Sequence, residues 1–158
     1  MPIAQREAEV VWEGSLARGS GSLTSGTRVL DGSPVTWAAR TEAQNGKTSP
    51  EELIAAAHAS CFAMALSLVL GHANATPEQL VVRAVCTLDE VAGAPRITRS
   101  ALEVRARVPD LVEAAFADAV DEASRLCPVS NALTGNVEIT VEATFEASEA
   151  KTPEVVGT

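Results

Sequence analysis

From Ser49 to Leu70 the chain reads Ser-Pro-Glu-Glu-Leu-Ile-Ala-Ala-Ala-His-Ala-Ser-Cys-Phe-Ala-Met-Ala-Leu-Ser-Leu-Val-Leu, its longest apolar stretch. The first residues are helix-start signals. Ser49 suits the N-cap, Pro50 the first helical position, and Glu52 the position from which a capping box closes back on Ser49. Glu51, beside it, has no such duty. Past Leu53 the segment is Ala-rich and apolar around its whole circumference, the pattern of a helix buried on every side. Cys61 sits in its middle, with His58 before it and Met64 after it, each about one turn away.

A stretch this long raises the question of a membrane span. His58, Ser60 and Ser67 interrupt it and small Ala predominates, whereas a span needs ~20 strongly apolar residues. A buried central helix is therefore expected. In a chain of 158 residues such a helix needs more cover than one small sheet supplies. A homodimer in which two such helices pack together meets that need.

The totals narrow the partners. Net charge is −9, which argues against nucleic acid and anionic membrane, since binding to phosphate needs clustered Lys and Arg. The first residues, Met-Pro-Ile-Ala-Gln-Arg-Glu, form no apolar targeting segment, and Cys61, Cys86 and Cys127 make an odd count unsuited to a secreted disulfide framework. A cytoplasmic protein is expected. Aromatic residues make up only 3% of the chain, so the core must be built largely from Ala, Val and Leu.

Taken in order, Ala8 to Glu13 reads as a strand with Val10 and Trp12 on one face, and Leu23 to Thr27 as a weaker second strand. Asp31-Gly32 marks a turn. Val35, Trp37 and Ala39 alternate with Thr36, Ala38 and Arg40, the pattern of a third strand with Arg40 on its polar face. After the central helix, Leu80, Val82, Ala84, Cys86 and Leu88 share one strand face, and Cys86 is most simply a core residue. Gly93-Ala-Pro95 turns the chain into a strand over 97–108, where Leu102, Val104, Ala106 and Val108 alternate with polar residues. Asp110 and Glu113 open a second helix whose stripe is Val112, Phe116, Ala119, Val120 and Ala123, ending at Cys127-Pro128. A final strand points Val137, Ile139, Val141, Ala143 and Phe145 inward. The expectation is an α+β fold, with small antiparallel sheets wrapped around a buried central helix. One domain spans residues 1–146, and a frayed end is expected over 147–158.

Chemistry concentrates on two cysteines. Cys61 lies inside the central helix and Cys127 at the end of the second. They form no C-x-x-C pair, and a zinc site from Cys61, Cys127 and His58 lacks the usual ligand spacing. Two buried cysteines filling core space remain an open reading, as does a small-ligand binding module with structural cysteines. A hydrolase using Cys61 with His58 would need an orienting acid that is not evident. A reactive Cys61 would need a cation to lower its pKa. Arg40, held by Glu51 across the loop that enters the helix, would provide one.

Five segments carry a family resemblance: Trp12-Glu13-Gly14, Thr36 to Arg40, Pro50-Glu-Glu-Leu-Ile54, Ala56-Ala-His-Ala-Ser-Cys-Phe-Ala-Met-Ala65 and Cys127-Pro-Val-Ser130. In these the chain resembles the OsmC/Ohr superfamily of osmotically inducible protein C and organic hydroperoxide resistance proteins. With His58 and Arg40 it is closer to the osmotically inducible branch. The resemblance implies an intertwined homodimer and a cysteine-based peroxidase acting on organic hydroperoxides. By position Cys61 is then the peroxidatic thiolate, Cys127 the resolving thiol, and Glu51 with Arg40 the activating pair. The hydroperoxide resistance branch draws its arginine from the first loop, where Arg18 stands here. No cofactor is implied, only an external dithiol such as a lipoylated protein. Phe62, Met64 and Leu66, as apolar neighbours of Cys61, would favour greasy peroxides.

Helix geometry adds a constraint. Glu51 and Cys61 stand ten residues apart, about 15 Å along a straight helix and on faces about 80° apart. Either the helix breaks before Cys61, or the partner subunit supplies part of the site.

Overall fold

The computed structural model describes residues 1–146; the frayed end expected over 147–158 lies outside the described residues. The chain divides into two compact units, Met1–Ile54 and a second that begins at Ala55.

In the first unit, β1 (Ala8–Glu13), β2 (Ser20–Ser25) and β3 (Ser33–Val35) form an antiparallel sheet in that order. Gly21 of β2 is required by packing: a Cβ there would fall 2.6 Å from Val35 and 2.8 Å from Val10. Beyond that contact, β1 leaves Val10, Val11 and Trp12 exposed.

The third strand expected through Ala39 stops at Val35, and a helix, α1 (Trp37–Thr41), replaces its second half. Thr36 explains the switch. It is extended, and its hydroxyl accepts the Ala39 N–H at 3.1 Å, an N-cap that starts a helix on Ala-rich sequence. Three alternating apolar residues were too few to outweigh it. Arg40 therefore sits on a helix.

The central helix α2 (Pro50–His72) starts where expected and runs unbroken for 23 residues, with the expected capping box only half formed. The Glu52 N–H donates to the Ser49 hydroxyl at 3.2 Å. The Glu52 carboxylate takes hydrogen bonds from Gln44 and Thr48.

The second unit holds the core. β4 (Gln79–Val91) and β5 (Ala94–Arg107) form a hairpin whose turn is Ala92-Gly93, with φ of 52° and 79°. Positive φ at both turn positions matches the twist of the strands, so the turn lies before Pro95. The second long helix, α3 (Glu113–Leu126), starts without the expected side-chain cap, because Asp110 lies in the left-handed region at φ 60° and Val112 takes the N-cap position, exposed. Its stripe of Phe116, Ala119, Val120 and Ala123 is buried as expected.

Two features differ from expectation. A short helix, α4 (Pro128–Leu133), follows Cys127 directly. The last strand, β6 (Glu138–Glu146), pairs with β5 in parallel, so the second sheet is mixed. A parallel neighbour needs a crossover of a dozen or more residues, and α3 with α4 provides it.

Phe62, Leu66 and Leu70 of α2 pack with Leu102, Val104 and Ala106 of β5 and Phe116, Val120 and Ala123 of α3. Phe116 and Phe145 bring their ring centroids to 5.3 Å. The expectation of a helix buried on every side is corrected within one chain. Ala56, Ala57, Ser60, Met64, Ser67 and Leu68 face solvent, because the sheet and α3 cover one side only. By length and composition α2 could cross a bilayer, but its His58, Phe62, Leu66 and Leu70 are wholly buried within the chain.

Candidate active site

In the second unit, Cys61 on α2 meets Cys127 at the α3–α4 junction. Pro128 explains why the chain breaks there. It cannot continue α3, but its fixed φ suits the first position of α4. That leaves Cys127 as both the end cap of α3 and the N-cap of α4, wholly buried. Both thiols are free and lie within hydrogen-bonding reach of each other.

The start of α4 aims its unpaired N–H groups at these sulfurs. The Ser130 N–H donates to Cys127 Sγ at 3.5 Å, and the Val129 N–H favours the ionised form of both thiols. The two thiols respond oppositely. Burial pushes Cys61 up, and Cys127 beside it adds to the effect against the Val129 N–H. At Cys127 burial also pushes up, but the Ser130 hydroxyl, the Ser130 N–H, the Cys61 thiol and the Val129 N–H together hold it below the ordinary thiol value. Among the described residues, the groups acting on Cys61 include no cation.

His58 does not pair with Cys61. Its Nδ1 lies 2.7 Å from the Ser100 hydroxyl and its Nε2 2.8 Å from the Ser130 hydroxyl. This removes the orientation that a Cys61–His58 hydrolase needs, and it occupies both nitrogens that a metal would use. Neither serine partner was found from sequence. Ser100 did carry a signal, a polar residue in register with the inward Leu102, Val104 and Ala106 of β5, which asks for a buried partner.

Burial lowers the His58 pKa from its ordinary 6.5. As pH falls through that value the unfolded chain gains a proton that the folded chain does not bind, so stability present above it is lost, by at most about 1.4 kcal/mol per pH unit. The expected result is a urea midpoint that declines on acidification below that value, less steeply in His58→Gln. Equal slopes for the two proteins would mean the ring does not titrate on unfolding.

In the first unit, Arg40 meets Glu51. Arg40 Nε and Nη2 donate to Glu51 Oε1 at 2.9 and 2.8 Å, and the guanidinium lies 5.8 Å from the centroid of the Trp37 ring. Glu51 is buried, and its Oε2 has no hydrogen-bond partner among the described residues. Arg18, in the exposed loop after β1, is not part of this pair. Of the apolar neighbours expected beside Cys61, Phe62 and Leu66 are sealed in the core. Met64 alone is accessible.

Residues 43–142 match the OsmC-like protein family, a match that runs through both units. Peroxiredoxin OsmC of Escherichia coli is 39% identical over 134 residues, covering 85% of this chain and 93% of that protein. Organic hydroperoxide resistance protein OhrB of Bacillus subtilis is 34% identical over 129 residues, covering 80% of this chain and 92% of the relative. Its crystal structure is similar with a TM-score of 0.66 at 28% identity, over 87% of this chain and 98% of that one. An organic hydroperoxide resistance protein from Elizabethkingia anophelis, 24% identical, shares the fold with a TM-score of 0.74 over 92% of this chain and 99% of that one.

Proposed function

We propose, from the premise that this chain belongs to the OsmC-like protein family, that it is a thiol-dependent peroxidase reducing organic hydroperoxides to alcohols. The observation that carries this is the meeting of Cys61 and Cys127, far apart in sequence, at the N-terminus of α4. The Cys61 thiolate attacks the distal peroxide oxygen, the O–O bond breaks, and an alcohol leaves with a sulfenic acid on Cys61. Cys127 then forms the disulfide and releases water, and an external dithiol, such as a lipoylated protein, restores both thiols. No prosthetic group takes part. Residues 1–146 work as one domain, in the cytosol.

Cys61 needs a cation, since burial alone favours its thiol. Arg40, already held by Glu51, is that cation. A homodimer is part of the reading. Met64 and Leu68 on α2, at 68% and 54% exposure, and Val10, Val11 and Trp12 on β1 are more apolar surface than a lone chain leaves open without use.

The direct test is consumption of tert-butyl or cumene hydroperoxide with a dithiol; none at all would favour a binding module with structural cysteines. The arginine assignment is tested by thiolate absorbance. Arg40→Ala should raise the Cys61 midpoint by roughly one to three pH units and slow the first step, while Arg18→Ala should change both less. Equal or reversed effects would transfer the role to Arg18.

A further inference from the structure

Among the described residues of the second unit, His58 is the one buried titratable side chain that the thiol chemistry above leaves unused. It is wholly enclosed, and both ring nitrogens are engaged. A core histidine satisfied by two serines would ordinarily call for nothing more. What singles this one out is where the second serine leads. The Ser130 N–H reaches the Cys127 sulfur at 3.5 Å, and the Ser130 hydroxyl that meets His58 Nε2 also acts on that sulfur, holding its pKa down. A continuous chain therefore runs Ser100, His58, Ser130, Cys127, Cys61.

We propose that His58 is a positioning residue for disulfide closure: its ring turns the Ser130 hydroxyl toward Cys127, so that Cys127 meets the oxidised Cys61 as a thiolate. This rests on the peroxidase reading given above. Burial keeps the ring neutral, with one N–H and one lone pair. With the hydrogen on Nε2, the ring donates to Ser130, Ser130 has its own hydrogen free for the Cys127 sulfur, and Ser100 donates to Nδ1. With the hydrogen on Nδ1, the Ser130 hydrogen goes to the ring. The Cys127 sulfur then loses its hydroxyl donor and must itself donate as a thiol. The two tautomers thus match the two protonation states of Cys127.

The step balances as follows. The Cys127 thiolate attacks the sulfur of Cys61–SOH, the S–S bond forms, and the S–O bond breaks. Hydroxide leaves and takes up the proton that Cys127 gave up, forming water. The Cys61 sulfur is reduced and the Cys127 sulfur oxidised by the same amount. In the return direction, the hydroxyl that stabilises the Cys127 thiolate also makes it the better leaving group when a dithiol attacks Cys61. The titratable side chains around the chain of hydrogen bonds are Cys61 from α2 and Cys86, whose register partner on β5 is Ser100.

The proposal separates the two halves of the reaction. After one equivalent of hydroperoxide, dimedone trapping reports sulfenic acid on Cys61, and non-reducing mass analysis reports the disulfide. His58→Leu should form sulfenic acid at close to the wild-type rate and close the disulfide roughly tenfold to a hundredfold more slowly, the scale of a lost hydrogen bond to a charged group. Ser130→Ala should do the same. Combined, the two changes should be no worse than either alone, because His58 acts through Ser130. His58→Gln, which keeps a donor and an acceptor, should recover part of the rate. A second readout needs no peroxidase activity: in a Cys61→Ser background, thiolate absorbance lost on adding Cys127→Ser isolates Cys127, and His58→Leu should move its midpoint up by about one pH unit. If His58→Leu does not fold, Ser100→Ala takes its place, raising that midpoint when Ser130 is present and not when it is Ala. Equal slowing of both halves, an unmoved midpoint, or additive effects of the two changes would reduce His58 to a core residue. An absent peroxidase reaction with a shifted midpoint would overturn the peroxidase reading and leave the Cys127 assignment standing.

Discussion

Replacing Cys61 with Ser will abolish hydroperoxide consumption, a loss of at least ~1000-fold, on the scale of removing a nucleophile from an enzyme. No other thiol can substitute. Cys127 is wholly buried behind it, and Cys86 sits on β4, opposite Ser100 in the strand register. Cys127→Ser should behave differently from Cys61→Ser. It permits one turnover, after which sulfenic acid accumulates on Cys61 and excess peroxide drives it to sulfinic acid. Cys86→Ser should keep its turnover and lose a little stability, since a hydroxyl on the inward face of β4 must find a partner. Mass analysis after one and after ten equivalents of cumene hydroperoxide distinguishes the three variants. A folded but inactive Cys86→Ser would break this division of roles.

Why some of this could be read from sequence and some could not follows from the range of the interactions. The start of α2 was legible because its signals are local: Ser49, Pro50 and Glu52 lie within one turn. The inward faces of β4 and β5 were legible because strand alternation is local too, although Ser100, the polar residue in register with them, was passed over. α1 was hidden by accident, since Val35, Trp37 and Ala39 mimic alternation while the Thr36 cap, which decides the matter, looks like any strand threonine. α4 was hidden because Cys127 is an unusual N-cap and six residues carry little periodicity. The parallel register of β6 is a property of the crossover, and no feature of residues 138–146 announces it. The partners of His58 come from β5 and α4, 42 and 72 residues away. The Arg40–Glu51 pair was found by asking which cation a reactive cysteine would need. The structure then supplied the contact at 2.8 Å.

Two inactive proteins, Cys61→Ser and Glu51→Ala, will regain activity when their subunits are exchanged. The expectation begins with the helix. Of the two ways to bring Glu51 and Cys61 together, a break in the helix is removed, because α2 runs without interruption from Pro50 to His72. Ten residues of straight helix separate their backbones by about 15 Å and turn them about 80° apart. A helical side chain also leans toward the N-terminus, which carries Glu51 further from Cys61. The remaining way is a partner subunit that brings its own Arg40–Glu51 pair to Cys61. Two unfinished features agree with it. Among the described residues, Glu51 keeps a buried oxygen without a donor, and Cys61 is acted on by a backbone N–H and a thiol but by no cation. In a mixed dimer, the Cys61 of one chain would meet the intact Glu51 of the other and make one complete site, while the opposite site would lack both. With free exchange about half of the dimers are mixed, so activity should rise from near zero to about a quarter of the wild-type level. Chains crosslinked before mixing should show no gain. If exchange is verified by mass and activity stays at the level of the separate proteins, each subunit carries its own complete site, and the pair that activates Cys61 must come from within one chain.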